Sequence, residues 1–245
     1  MISLQKIPIK TTAVDLAKKT VQKSLSNISQ KTSTEVSNLG NMPCFYPVGK
    51  NFLKTANSIL KEFQSEYEVK SSTYLCEQIK QAKKQQQPDN ILNEMLNLRK
   101  KYSFKIKKMR RELSNGKFSS FEEYVSFLKN YIKKNGAYMN CSECSDIIQD
   151  KFNQKGIKSN NVLLYSVNNK GDRTSFAEHV FTVIGLDKNA QIKNPKTWGK
   201  DAVICDGWAN IARPADKGIE FYEKFFDIDK TKNNFEFCFV DKFQK

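Results

Sequence analysis

Between residues 51 and 134 the apolar positions recur with a helical period. Phe52, Ala56, Ile59, Leu60 and Phe63 share one face of a first predicted helix, and Ser71 to Lys84 reads as a second. The polar stretch Gln85-Gln-Gln-Pro-Asp-Asn90 breaks it, with Asp89 or Asn90 placed to cap a third helix from Ile91 towards Leu113. Ser119-Ser-Phe-Glu-Glu123 has the form of a capping box. It opens a fourth helix carrying Tyr124, Phe127, Leu128 and Tyr131, which Asn135-Gly136 ends.

After Gly136 the period changes. Asn140 to Phe152 reads as one more helix. Short β-type runs follow at Val162–Val167, Val180–Ile184, Ala202–Cys205 and Phe235–Val240, divided by turn-rich stretches such as residues 168–172 and 193–196. Helices first and strands afterwards predict an α+β fold, a helical lobe packed on an antiparallel sheet. Three regions follow: a flexible or weakly helical leader (1–45), a basic helical lobe (46–134) and a core that holds the chemistry (135–245), the last two forming one structural unit. No internal repeat is visible.

Composition adjusts this picture in three ways. Apolar residues make up 39% of the 245, enough for a core. No apolar run approaches the ~20 residues of a membrane span, and the N-terminus lacks the apolar stretch of a cleavable signal. The net charge of +15 is uneven: residues 1–134 hold 25 Lys and Arg against 11 Asp and Glu, whereas the remainder holds 16 against 15. Candidate chemistry is therefore sought in the charge-balanced half. The six cysteines are irregularly spaced and read as reduced, with Cys238 a core thiol in its apolar run.

His179 is the single histidine, so any imidazole base must be this one. It stands at the start of one predicted strand, and Asp206 ends the next. If those strands pair antiparallel, the two residues meet at one edge of the sheet, where the carboxylate can orient the imidazole. Cys141 lies at the start of the helix that follows Asn140. With Asn140 as N-cap and Glu143 at the capping-box position, the thiol sits in the first turn, where unpaired N–H groups and the helix dipole favour a thiolate. The same N–H groups suit an oxyanion hole, and Asn140 is the nearest side-chain donor for one. Trp208 is placed as a platform against His179 or as ordinary core. Glu178 is a candidate for binding substrate polar groups or a solvated strand-end carboxylate.

Three blocks carry a resemblance: Asn140-Cys-Ser-Glu143, His179-Val-Phe-Thr-Val-Ile184 and Val203-Ile-Cys-Asp-Gly-Trp208. They resemble the Asn-Cys-x-Glu, His-x-Phe and Asp-Pro-Trp blocks of the papain-like bacterial effector and toxin domains, a superfamily of glutamine deamidases and transglutaminase-like enzymes. The likeness spans roughly residues 135–210. It implies a papain-like core with Cys141 as nucleophile, His179 as general base and Asp206 as orienting carboxylate, and no cofactor. It also implies a substrate glutamine on a host protein, reached by specialised bacterial secretion, with proteolysis as the alternative chemistry. Gly207 departs from the family's Pro, and Tyr138-Met139 stands where a Gly is usual before Asn-Cys.

Other readings compete. Cys141 and Cys144 form a C-x-x-C, and with His179 and Cys205 they make a possible Cys₃His zinc set. Cys144, Ile148 and Phe152 recur at helical spacing, however, which places Cys144 on the buried face. In the alternative that the Cys-rich half is a structural zinc site or a plain core, the protein is a non-enzymatic adaptor. Its partner would be anionic and bound through Arg99, Lys100, Lys101, Lys107, Lys108, Arg110 and Arg111, in a run of thirteen residues with eight basic and no acidic ones. The run suits an anionic membrane surface. No nucleic-acid fold signature accompanies it.

Overall fold

The computed structural model describes residues 51–240. The expected leader at 1–45 lies outside them. Two compact units divide the described chain. Residues 75–98 form the smaller, closed around Ile79, Ala82 and Met95. Residues 51–74 and 99–240 belong to the larger.

The helices are α1 (Phe52–Glu66), α2 (Ser72–Lys84), α3 (Asp89–Asn115), α4 (Phe121–Asn135) and α5 (Cys141–Gln154). Ser120 caps α4 by accepting from Glu123 N at 3.2 Å, and Glu123 returns the contact to Ser119 N at 2.8 Å. Gly136, at φ 93°, ends that helix in a conformation glycine tolerates.

Among the described residues five strands follow: β1 (Ser159–Asn168), β2 (Arg173–Ile184), β3 (Val203–Asp206), β4 (Ile211–Pro214) and β5 (Asn233–Phe239). A helix, α6 (Ala215–Phe225), separates the last two. All neighbours pair antiparallel, in the order β4-β3-β2-β1-β5. The class is α+β, as the order of periods predicts. Two elements go beyond the sequence reading: β4 and α6 stand where no element was expected. Strand β2 also begins at Arg173, so His179 is inside the strand, in line with Leu164 of β1.

Helices cover both faces of the sheet. Successive β3 side chains alternate: Cys205 Sγ reaches Ala56 O on α1 at 3.6 Å, while Ile204 packs where a Cβ on Gly218 of α6 would stand. Helix α5 runs beside β1 and β2 and packs on α1 and α4. No boundary between compact units therefore falls at residue 134. The apolar stripe of α1 (Ala56, Ile59, Leu60, Phe63) is buried in one core with Ile147, Ile148, Phe181 and Ile204.

Candidate active site

The shortness of β3 makes the site. β3 pairs with β2 over Thr182, Val183 and Ile184. Two residues towards His179 from that stretch, Val180 O accepts from Ser145 Oγ at 2.9 Å. Thr182 Oγ1 donates to Ser145 O at 3.1 Å. These two bonds seat the first turns of α5 against β2 near His179.

His179 is 1% exposed and Asp206 is fully buried. His179 Nε2 donates to Asp206 Oδ2 at 2.6 Å. The same oxygen accepts from Tyr222 OH at 2.7 Å, and Oδ1 accepts from Trp208 N at 2.8 Å and Ala209 N at 3.2 Å. With His179 of β2, the turn after β3 and helix α6 thus give the carboxylate four donors, which saturate it and fix its plane. Cys141 stands close enough to the imidazole for a side-chain hydrogen-bond interaction with it. Because Asp206 takes Nε2, Nδ1 is the nitrogen left for the sulfur.

Burial disfavours the imidazolium, but the Asp206 carboxylate and the Cys141 sulfur outweigh it, and the His179 pKa is pushed up to about 10. The ring is boxed in by aromatic neighbours, Trp208 at 4.5 Å and Tyr222 at 5.1 Å between centroids. Burial and the Asp206 charge together push the Tyr222 hydroxyl far above its ordinary pKa, so it stays a donor.

The N-terminal cap of α2 braces the Cys141 turn. Asn140 Oδ1 accepts from Ser71 Oγ at 2.9 Å, Ser72 Oγ at 3.3 Å and Thr73 N at 3.3 Å. A backbone N–H can only donate, which sets the amide's orientation and leaves Nδ2 as its donor end. Trp208 Nε1 donates to Ser71 Oγ at 2.9 Å, so one hydroxyl ties the turn before Cys141 to the platform under His179.

The first turn of α5 also holds a buried acid. Glu143 accepts from Asn140 N at 2.9 Å and from Arg110 Nε and Nη2 of α3 at 2.7 and 3.1 Å. The guanidinium offsets a carboxylate that would otherwise oppose negative charge on the neighbouring sulfur. It also has a favourable charge interaction with Cys141.

The structure brings together Cys141, His179, Asp206, Asn140 and Trp208. It does not bring in Glu178, which is exposed, next to His179 on the strand and therefore turned to the other face, and paired with Arg173 at 2.8 Å. Arg110 stands apart from the rest of its basic run, because it is committed to Glu143. Cys144 and Cys205 are buried thiols, and burial raises the pKa of both. Among the described residues no group of His, Cys, Asp and Glu is arranged to hold a metal.

Sequence reasoning missed Tyr222, Ser71 and Thr73. A signal for Tyr222 exists: Ala215, Gly218 and Tyr222 recur at helical spacing after Pro214, and all three are buried. The departure at Gly207 has a physical reason here. A Cβ at that position would stand 2.6 Å from the Phe63 ring, so α1 occupies the space a Pro would need.

No family model, no curated protein and no solved structure matches this chain.

Proposed function

We propose that the protein is a papain-like thiol acyl-transfer enzyme acting on the side-chain amide of a glutamine in a host protein, by deamidation or transglutamination. The observation that carries this reading is a buried imidazole locked at Nε2 by Asp206 and in contact with Cys141 at the start of a helix. The three sequence blocks support the substrate class and, with it, the reading as a secreted bacterial effector. Among the described residues no helix is long and apolar enough to cross a membrane.

The geometry supports the following chemistry. His179 takes the Cys141 proton and stands beside the thiolate as an ion pair. The sulfur attacks the amide carbon, and the developing oxyanion is held by the Cys141 N–H and Asn140 Nδ2. The imidazolium protonates the leaving nitrogen, so ammonia departs and a thioester remains. Water then adds, giving its proton to His179, and the tetrahedral adduct expels the thiolate to leave glutamate. A lysine amine in place of water gives an isopeptide bond.

The test incubates host lysate with wild type and with Cys141→Ala and counts three products separately by mass spectrometry. Glutamine-to-glutamate conversions or isopeptide crosslinks made by wild type alone are expected. New N-termini alone would make the enzyme a protease. Identical profiles for both proteins would sink the enzymatic reading.

A further inference from the structure

The basic run of α3 has two sides with different fates. Ile106, Met109 and Leu113 are buried, Tyr102 packs edge-on against Tyr138 at 5.6 Å, and Arg110 grips Glu143. The opposite side carries Phe104, a large apolar side chain left 68% exposed. Lys100, Lys101, Lys107 and Lys108 stand three and four residues before and after it, which puts all four beside its ring, with Arg111 one turn further on. All five cations are exposed. The nearest acids in the sequence are Glu94 and Glu112, outside the run.

We propose that this face of α3 is a docking surface for an anionic lipid bilayer. An exposed aromatic ring ringed by ammonium groups fits a bilayer surface: the lysines meet lipid phosphates and carboxylates while the ring enters the boundary between headgroups and acyl chains. The residue types favour this occupant over a protein or a nucleic acid. Protein interfaces are depleted in lysine, and an aromatic anchor there usually fills a pocket. Nucleic-acid readers favour arginine forks and concave, base-stacking platforms. Here four of the five cations are lysines on a convex helix, a surface suited to a fluid layer of negative charge. Because the other side of α3 holds Tyr138 and Glu143, docking would also fix how the Cys141 turn faces the membrane.

The full chain is mixed with phosphatidylcholine vesicles with or without about one-third phosphatidylserine, and binding is read by cosedimentation. Binding only to the serine-lipid vesicles is expected, with release in about 0.5 M salt, where screening is strong. Phe104→Ala should weaken it about fivefold or more by removing the inserted ring. Lys107→Ala with Lys108→Ala should weaken it about twentyfold, whereas Lys193→Ala with Lys196→Ala, an equal loss of charge elsewhere, should cost far less. Cys141→Ala should bind like wild type, so the outcome is separate from that of the catalytic reading. Equal binding to both vesicle types overturns the proposal, as do α3 variants that bind like wild type with unchanged denaturation midpoints. Binding of transfer RNA that is tighter than vesicle binding and insensitive to Phe104→Ala also overturns it.

Discussion

Two opposed effects decide the state of His179, and their balance can be read in one resonance. Burial favours neutral imidazole; the Asp206 carboxylate at 2.6 Å and the adjacent sulfur favour imidazolium, and they win. Because the chain has a single histidine, its ring protons titrate without overlap. In wild type that titration should fall near 10, far above an ordinary histidine. Asp206→Asn removes the main opposing charge and should lower it by roughly 1–3 units, read by NMR, and should slow alkylation of Cys141. A titration left in place would assign the shift to some other group. Tyr222→Phe is the gentler probe. It keeps the ring stacked on Phe181 at 5.1 Å and deletes only the hydroxyl on Asp206 Oδ2. A hydrogen bond to a buried charge is worth about 1.5–3 kcal/mol, so urea unfolding should report a loss of that order with the fold retained.

At the scale of elements, the site hangs on two junctions, the cap of α2 and the turn between β3 and β4. Ser71 caps α2 by accepting from Tyr74 N at 3.1 Å and also serves Asn140 and Trp208. Ser71→Ala should cost about 1 kcal/mol or more in denaturant unfolding, since cap loss alone is of that size, and Ser71→Thr should restore most of it. Gly207→Pro, the residue the sequence blocks lead one to expect, should destabilise by about 1–3 kcal/mol, because the Phe63 ring must give way. An unchanged midpoint would mean that α1 yields easily. These junctions also mark where the sequence was readable. Helices α1 to α5 were legible because each carries a long apolar stripe or a cap, as in Phe52–Phe63 and Ser119–Glu123. Antiparallel pairing then brought His179 and Asp206 together on paper. Helix α6 was missed because it is short and begins at a proline that also ends a strand, and Tyr222 went with it. The Ser71 brace joins positions 69 residues apart and leaves no periodic trace.

At the scale of the whole molecule, charge is unevenly distributed, and the site answers to pH through one buried cation. The folded chain holds a proton on His179 up to about 10, whereas the unfolded chain releases it near the ordinary value of 6.5. Between those values the folded state binds more protons, so stability falls as pH rises. The contribution is complete below 6.5 and is lost as pH climbs through about 10. Replacing the imidazole removes this dependence while leaving the Asp206 cradle of Tyr222, Trp208 N and Ala209 N. The gap in unfolding free energy between wild type and His179→Gln should therefore be widest near pH 6.5. It should narrow by on the order of a few kcal/mol towards pH 9.5, read from urea midpoints at each pH. The surrounding lysines shift both curves alike and cancel in the difference. A gap that stays constant across this range would mean that His179 is held neutral, and that the pair with Cys141 forms only when substrate arrives.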